Sequence, residues 1–527
     1  MKRKRFAWGV VAATWLLVVL LASPAVAQTA APPASTNAPV SAAAPAAAPS
    51  KDARLSPEQA EQLLKSVDEV MALVSEQTGL PVRHPVKRAL ASREQVREHI
   101  RGRMAEDQDA ERLLRSEVVL KKFGLLPREF DLGGFLLDLL EEQVAGFYDM
   151  KTQTVYLLDW VEPAVQKPVL AHELTHALQD QMVPLEKWVQ GSRPPKPGLV
   201  NPDDLDAEAD EESVARSAVV EGQGMVSLIE YAMDAARKWM AANNNQGDPF
   251  SAPEIAGLLN SNAPTAVLEQ APMFLRESLA FPYTWGLRFT QEVDTRAGRE
   301  RAFAGVLRDP PKNSYQVMNP QSYLKGETFA PLRVPKLREL IAPTYEPYDS
   351  GSVGAIDVAL LLREYGQEAD EAEALARQWR AGLYYAARKK DGPCQPPASK
   401  SGVILKAVTC VPTTPAVAMV YVSRWASAAA ADRFAGFYGA GVEERYQRAA
   451  PVLSGVKKKG AVEEASRPTE WLTEEGPVWI EKHGDLVVVM EGFDERTAAR
   501  LRRALLAALL PTIPPATRKP AGSSVRH

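Results

Sequence analysis

The most informative segment of this chain reads Val169-Leu170-Ala171-His172-Glu173-Leu174-Thr175-His176-Ala177-Leu178-Gln179-Asp180-Gln181. Residues four apart lie on one face of a helix, so the imidazoles of His172 and His176 can reach a single metal ion. A glutamate directly after the first histidine is typical of zinc sites, where it accepts the proton of a metal-activated water. The segment predicts a zinc helix with Glu173 as general base; the alternative is a core helix that happens to hold two histidines.

A catalytic zinc ion normally has three protein ligands, so a third must come from elsewhere in the chain. The remaining histidines are poorly placed, because they lie far upstream, in a predicted turn or at the end: His84, His99, His483 and His527. We predict that Glu221 is the third ligand, because it lies in an apolar run where an unpaired charge would be costly. Four acidic residues before it are predicted to form a solvated helix start, with contacts that orient the histidine ligands as the alternative, namely Glu208, Asp210, Glu211 and Glu212.

Three further polar residues have two interpretations each. Tyr148 and Tyr283 either donate hydrogen bonds to an oxyanion on the substrate or pack in the core with their hydroxyls bonded to backbone. Asp180 either orients His176 or belongs, with Gln179, to the polar end of the helix.

The segments on either side of the zinc motif predict the class of fold. Residues 144–148 and 154–158 are rich in β-branched and aromatic residues and predict a hairpin, which leads into a helix beginning at Pro163 or Pro168. An open strand edge beside the metal can hold an extended peptide. Helices are predicted from Ser56, from Ser92, over 110–123, over 203–239 and onward to 339. Residues 348–510 alternate strands with helices. We therefore predict an α+β protein, with a mostly helical zincin-like catalytic region (51–340) and a C-terminal α+β accessory domain.

The ends of the chain predict export. A basic start, an apolar run over 6–22 and a small-residue exit at 25–27 indicate a signal peptide over 1–27. An uncleaved membrane anchor is the alternative, and contact with a membrane is expected only in that case. An Ala/Pro-rich linker follows over 28–50, and 511–527 is predicted to be a disordered tail. The protein is thus expected to be periplasmic, bound to the envelope or secreted.

Charge and cysteine content narrow the range of partners. The 527 residues carry a net charge of −4, and loss of the four basic residues at positions 2–5 with the signal would leave −8. This balance argues against nucleic acid and leaves a peptide or protein substrate. Cys394 and Cys410 are predicted to form a disulfide, with free thiols or a metal pair as alternatives.

Several stretches resemble a bacterial family of gluzincin-like zinc metallopeptidases over about residues 80–335: residues 142–149, 169–181, 220–222, 281–286 and 309–311. The resemblance implies that His172, His176 and Glu221 hold zinc and that Glu173 is the base. Asn319 occupies a position where that pattern often has a histidine, so no proton-donor role is transferred to it.

The predicted function is an exported zinc metallopeptidase. Two alternatives stay open: a non-catalytic envelope binding protein on a zincin fold, and a zinc amidase that acts on cell-wall peptides. A structural zinc ion is enclosed by four protein ligands, whereas a catalytic one leaves a position for water. The sequence offers only three credible ligands, which favours a catalytic site.

Overall fold

A computed structural model describes residues 54–106, 109–142, 146–191, 207–245, 248–255, 266–396, 410–452 and 469–510. The predicted signal peptide, linker and tail lie outside these ranges. Within them, no helix combines the length and the apolar character that crossing a membrane requires. The described part is a mixture of helices and sheets, which confirms the α+β class.

Helices dominate the chain up to residue 341. Their bounds are α1 Pro57–Thr78, α2 Arg93–Glu106, α3 Asp109–Phe123, α4 Leu132–Glu142, α5 Pro163–Met182, α6 Leu185–Val189, α7 Ala207–Ala242, α8 Met273–Ala297, α9 Ser314–Met318, α10 Pro320–Leu324 and α11 Leu337–Ile341. A π-helical turn, Arg301–Gly305, follows α8. The start of α1 agrees with the sequence, since the Ser56 side chain accepts the Gln59 N–H and Pro57 occupies the first turn.

A three-stranded sheet lies beside the zinc-motif helix α5. Its strands are β1 Lys87–Ala91, β2 Phe147–Asp149 and β3 Thr154–Leu158, in the order β1-β3-β2. The β2–β3 hairpin is the one that the sequence predicts, with Tyr148 opposite Val155. Strand β1 runs parallel to β3 and was not predicted, because its five residues are too short and too charged for a clear alternating pattern. Since β2 is an edge strand, one of its sides is available to α5.

The remaining chain forms a seven-stranded sheet, in the order β4-β5-β8-β12-β11-β10-β9, with helices on both faces. Alternate residues of its central strands point to opposite faces. Tyr421 and Val489 join the core shared with the N-terminal helices, whereas Val420 and Val488 pack in a second core with Leu501. The strands are β4 Tyr345–Ser352, β5 Trp379–Lys389, β8 Val417–Trp425, β9 Ala449–Pro451, β10 Thr469–Thr473, β11 Gly476–His483 and β12 Leu486–Glu491. The helices are α12 Ala355–Glu364, α13 Ala369–Ala376, α14 Ala428–Arg445 and α15 Glu495–Leu509.

The predicted disulfide lies in a separate two-stranded ribbon. Cys394 and Cys410 are bonded, with their Cα atoms 5.6 Å apart. The ribbon pairs β6 Cys394–Gln395 with β7 Val411–Pro412. The pairing agrees with the sequence prediction.

A buried ionic network joins the two regions of the chain. Arg445 on α14 donates to the Glu491 carboxylate and to the backbone carbonyl of Lys122 at the end of α3. The Lys122 ammonium donates to Glu475, and both cationic side chains are almost inaccessible to water. Buried charges of this kind are tolerated only when paired. The predicted boundary near residue 340 therefore crosses a shared core and a shared ionic network.

The helices α7 and α8 cross in close contact at two glycines. A Cβ atom on Gly222 would lie 2.2 Å from the carbonyl of Gly286, and one on Gly286 would lie 2.1 Å from the carbonyl oxygen of Ala218. Only glycine permits backbones to approach so closely. This crossing brings Glu221 of α7 and Tyr283 of α8 to the same point.

Candidate metal centre

Helix α5 presents both motif histidines in the core. The rings of His172 and His176 are perpendicular, with centroids 4.6 Å apart, and the two residues are 0% and 3% exposed. The His172 ring also lies against α7, where a Cβ atom on Gly224 would come within 2.7 Å of it. Glycine at position 224 is therefore needed for the imidazole to fit between the two helices.

The carboxylate of Glu221 faces both histidines. Its Oε2 atom lies 3.2 Å from Nε2 of His172 and 3.6 Å from Nε2 of His176. Glu221 is 1% exposed, so these two rings supply the compensation that a buried charge requires. The structure thus brings together the three residues that the sequence singles out as ligands.

Glu173 lies next to this trio. The group His172, Glu173 and His176 has ligand atoms within 4.8 Å of one another and could hold a metal ion. Oε2 of Glu173 accepts a 2.7 Å hydrogen bond from the backbone N–H of Tyr148 on the edge strand β2. Within the described residues, its Oε1 is buried and has no hydrogen-bond partner. One carboxylate oxygen is thus held by the sheet while the other remains available to a ligand.

Burial and mutual charge shift the pKa values of these groups. Burial lowers the pKa of His172 and raises the pKa of Glu173 to about 8. Burial opposes protonation of His176 as well, but the carboxylates of Glu221 and Glu173 raise the pKa of His176 to about 9. Despite burial, the charge of His176 and the hydrogen bond with His172 hold the pKa of Glu221 below its usual range. A proton on His176 therefore occupies a position that a metal cation would take, so metal binding should release protons.

The two tyrosines contact the site in different ways. The Tyr283 ring stacks on His172, with centroids 6.4 Å apart. Burial raises the pKa of Tyr283 well above its usual range, and Glu221, which accepts a hydrogen bond from its hydroxyl, adds to the shift. Tyr148 reaches Glu173 through its backbone N–H, whereas its hydroxyl donates to Asp180. The Tyr148 hydroxyl thus binds the side chain of Asp180, and the Tyr283 hydroxyl binds the carboxylate of Glu221.

Asp180 does not contact His176, contrary to the orienting role that the sequence suggested. Its carboxylate accepts from the Tyr148 hydroxyl and from the N–H of Leu185, because it lies on the side of α5 that faces the hairpin. The side chain at Nδ1 of His176 is Gln179, at 2.9 Å. Residues three and four positions apart are both neighbours on a helix, so spacing alone could not separate Gln179 from Asp180. The contacts of Asp180 with Tyr148 and Leu185 separate them.

The acidic start of α7 also differs from the prediction. Glu208 is exposed, as expected, but Glu211 is 4% exposed and accepts hydrogen bonds from the N–H and hydroxyl of Ser314. Burial and the nearby Asp357 raise the pKa of Glu211 to about 7. Tertiary packing against α9 and α12 encloses the carboxylate, which local sequence could not indicate. Its hydrogen bonds come from Ser314 and Ser352 rather than from the proposed metal ligands.

Two described cavities lie elsewhere. One, of about 560 Å³, is lined by Arg128, Phe130 and Met273, and the other, of about 380 Å³, by Met150, Asp180 and Lys187. Neither is lined by a residue of the metal centre. The four central side chains are themselves buried.

Comparisons with protein-family models, with curated proteins and with solved structures find no match to this chain. Assignment of a function therefore depends on the chemistry of the site itself.

Proposed function

We propose that this protein is a zinc-dependent metallopeptidase of the gluzincin type, in which His172, His176 and Glu221 bind the ion. The observation that carries the proposal is the position of Glu221 Oε2, 3.2 Å and 3.6 Å from the two Nε2 atoms. Glu221 comes from a different helix, 49 residues from His172 in sequence. Its convergence with both histidines is what a three-ligand site requires.

The donor set supports zinc in particular. Two imidazoles and one carboxylate form a common catalytic zinc site, with metal bonds of about 2.0–2.2 Å. Ligand atoms at tetrahedral positions around such an ion lie about 3.3 Å apart. The N···O separations of 3.2 and 3.6 Å agree with that spacing. Oε1 of buried Glu173, which has no hydrogen-bond partner in the described part of the chain, adds a polar atom that needs a ligand.

Zinc, when bound, lowers the pKa of a water molecule to about 7 and polarises a substrate carbonyl. Glu173 then accepts the proton of the attacking water at Oε1 and transfers it to the departing amine nitrogen. The Tyr148 N–H holds the other oxygen, so the carboxylate keeps one orientation during both transfers. Tyr283 donates to Glu221 and fixes that ligand.

Catalysis by this mechanism requires the site to open. His172, Glu173, His176 and Glu221 are at most 3% exposed, so a peptide reaches them only after the enclosing chain moves. Lid and loop motions of this kind are common in enzymes and exclude water during reaction.

Export is part of the proposal. The Cys394–Cys410 disulfide supports it, because disulfides persist in oxidising compartments and are rare in the cytosol.

The test is to measure the metal content of the purified chain from residue 28 onward and its hydrolysis of a broad peptide mixture, with and without a chelator. About one zinc per chain and chelator-sensitive cleavage are expected. Zinc without hydrolysis of peptides would instead favour the non-catalytic binding protein. Cleavage restricted to cell-wall peptides would favour the amidase, and absence of metal binding would overturn both the peptidase and the amidase.

A further inference from the structure

Buried amides connect His176 to a distant part of the fold. Oε1 of Gln179 lies 2.9 Å from Nδ1 of His176. Nε2 of Gln179 donates to Oε1 of Gln223 at 2.8 Å and to the backbone carbonyl of Val220 at 3.2 Å. Both glutamines are 0% exposed, so water cannot replace these bonds.

The far end of this chain of amides lies at the π-helical turn Arg301–Gly305. Nε2 of Gln223 donates to the carbonyls of Ala302 and Phe303, at 2.8 and 3.1 Å. A π-helical turn is rare and is frequently found at functional sites. Here it turns two backbone carbonyls toward one side-chain amide.

Those two carbonyls fix the direction of every hydrogen bond in the series. A carbonyl can only accept, so Gln223 must present its NH₂ group to the turn and its oxygen to Gln179. Gln179 must then present its NH₂ group to Gln223 and its oxygen to His176. Nδ1 of His176 must therefore carry a proton, which leaves the lone pair of Nε2 for a metal ion beside Glu221. The hydrogen-bond partners alone therefore fix the orientation of both side-chain amides.

We propose that Gln179 and Gln223 are positioning residues that hold His176 in the tautomer able to bind metal through Nε2, with the turn at 301–305 as their anchor. The inference rests on the proposed zinc site. Groups that orient metal-binding histidines typically contribute about 10–100-fold to metal affinity. The proposal gives these two neutral amides the role of orienting His176, which the sequence suggested for Asp180.

The first experiment measures the zinc dissociation constant by competition with a chromophoric chelator. Gln179→Met and Gln223→Met, which keep side-chain volume and remove the amide, should weaken binding by about 10–100-fold. Gln179→Glu keeps an acceptor at Nδ1 and should bind more tightly than Gln179→Met. The control is Asp180→Asn, because Asp180 contacts Tyr148 and Leu185 rather than His176, and it should bind as the wild type does.

The second measurement concerns the unaltered zinc-loaded protein. Ring ¹⁵N chemical shifts should show Nδ1 of His176 protonated and Nε2 bound to metal, and a chain with six histidines makes assignment practicable. Protonated Nε2 would overturn the inference even if the methionine variants fail to fold. If both methionine variants fold and bind zinc as tightly as the wild type, the positioning role is overturned but the proposed zinc site is not. A wild type that binds no zinc would instead refute the proposed function.

Discussion

The Gly222–Gly286 crossing gives a quantitative test of how the site is built. A methyl group added by Gly222→Ala would lie 2.2 Å from the Gly286 carbonyl, about 1.2 Å short of the 3.4 Å at which ordinary contact begins. The clash is with backbone, so no side-chain rotation relieves it. Helices α7 and α8 must separate by roughly 1 Å, which costs about 1–3 kcal/mol by comparison with other overpacked cores.

Helix propensity acts in the opposite direction and supplies a control. Replacement of a helical glycine by alanine should by itself stabilise a protein by about 0.5–1 kcal/mol. Gly436 on α14 is exposed, and a Cβ atom there meets nothing within 4 Å, so Gly436→Ala should show that gain alone. We expect Gly222→Ala to lower the free energy of unfolding by about 2 kcal/mol.

The same substitution should affect metal binding. Separation of the helices withdraws Tyr283 from Glu221, so zinc affinity should fall by about tenfold. Urea unfolding gives the stability of both variants, and chelator competition gives their zinc affinity. A Gly222→Ala variant that is as stable as Gly436→Ala and binds zinc like the wild type would refute the close crossing.

Other predictions concern separate parts of the molecule. Glu221→Ala should cut zinc affinity severely, because two histidines form an incomplete site, whereas exposed Glu208→Ala should leave it unchanged; equal effects in chelator competition would contradict the ligand assignment. Folding raises the pKa of Glu211 from 4.5 to about 7, so its stabilising effect is complete below pH 4.5 and is lost as the pH rises through about 7. The free energy of unfolding of Glu211→Gln, relative to that of the wild type, should therefore rise by up to about 3 kcal/mol between pH 5 and pH 8 in urea unfolding. A difference between the two proteins that stays constant with pH would contradict this. Reduction of Cys394–Cys410 should cost up to about 3 kcal/mol of stability without changing zinc content.

The sequence predicted the parts of the fold that have a local signal. The β2–β3 hairpin follows from its β-branched and aromatic residues, α1 from its start after Ser56 and α5 from its prolines, and the spacing of His172 and His176 follows from helix geometry. Glu221 was found because a charge in an apolar run needs a buried partner, and the structure places its carboxylate against both histidines.

What the sequence missed depends on contacts between distant segments. Strand β1 acquires its structure by pairing with β3, 67 positions further along. The burial of Glu211 depends on Ser314, and the partner of His176 is a neutral glutamine whose orientation is fixed by carbonyls about 120 residues away. The sequence around Gln179, Gln223 and Glu211 does not identify these partners. They appear only where α7 packs against α5, against the turn at 301–305 and against α9.

The claim that this site hydrolyses peptides is tested most directly by Glu173→Gln. The substitution removes the proton acceptor and leaves all three proposed ligands in place. Zinc content and peptide hydrolysis should be measured together for the variant and the wild type. We expect the variant to retain about one zinc per chain and to lose at least about 100-fold of the chelator-sensitive rate. A zinc-loaded variant that turns over peptides at the wild-type rate would contradict the account.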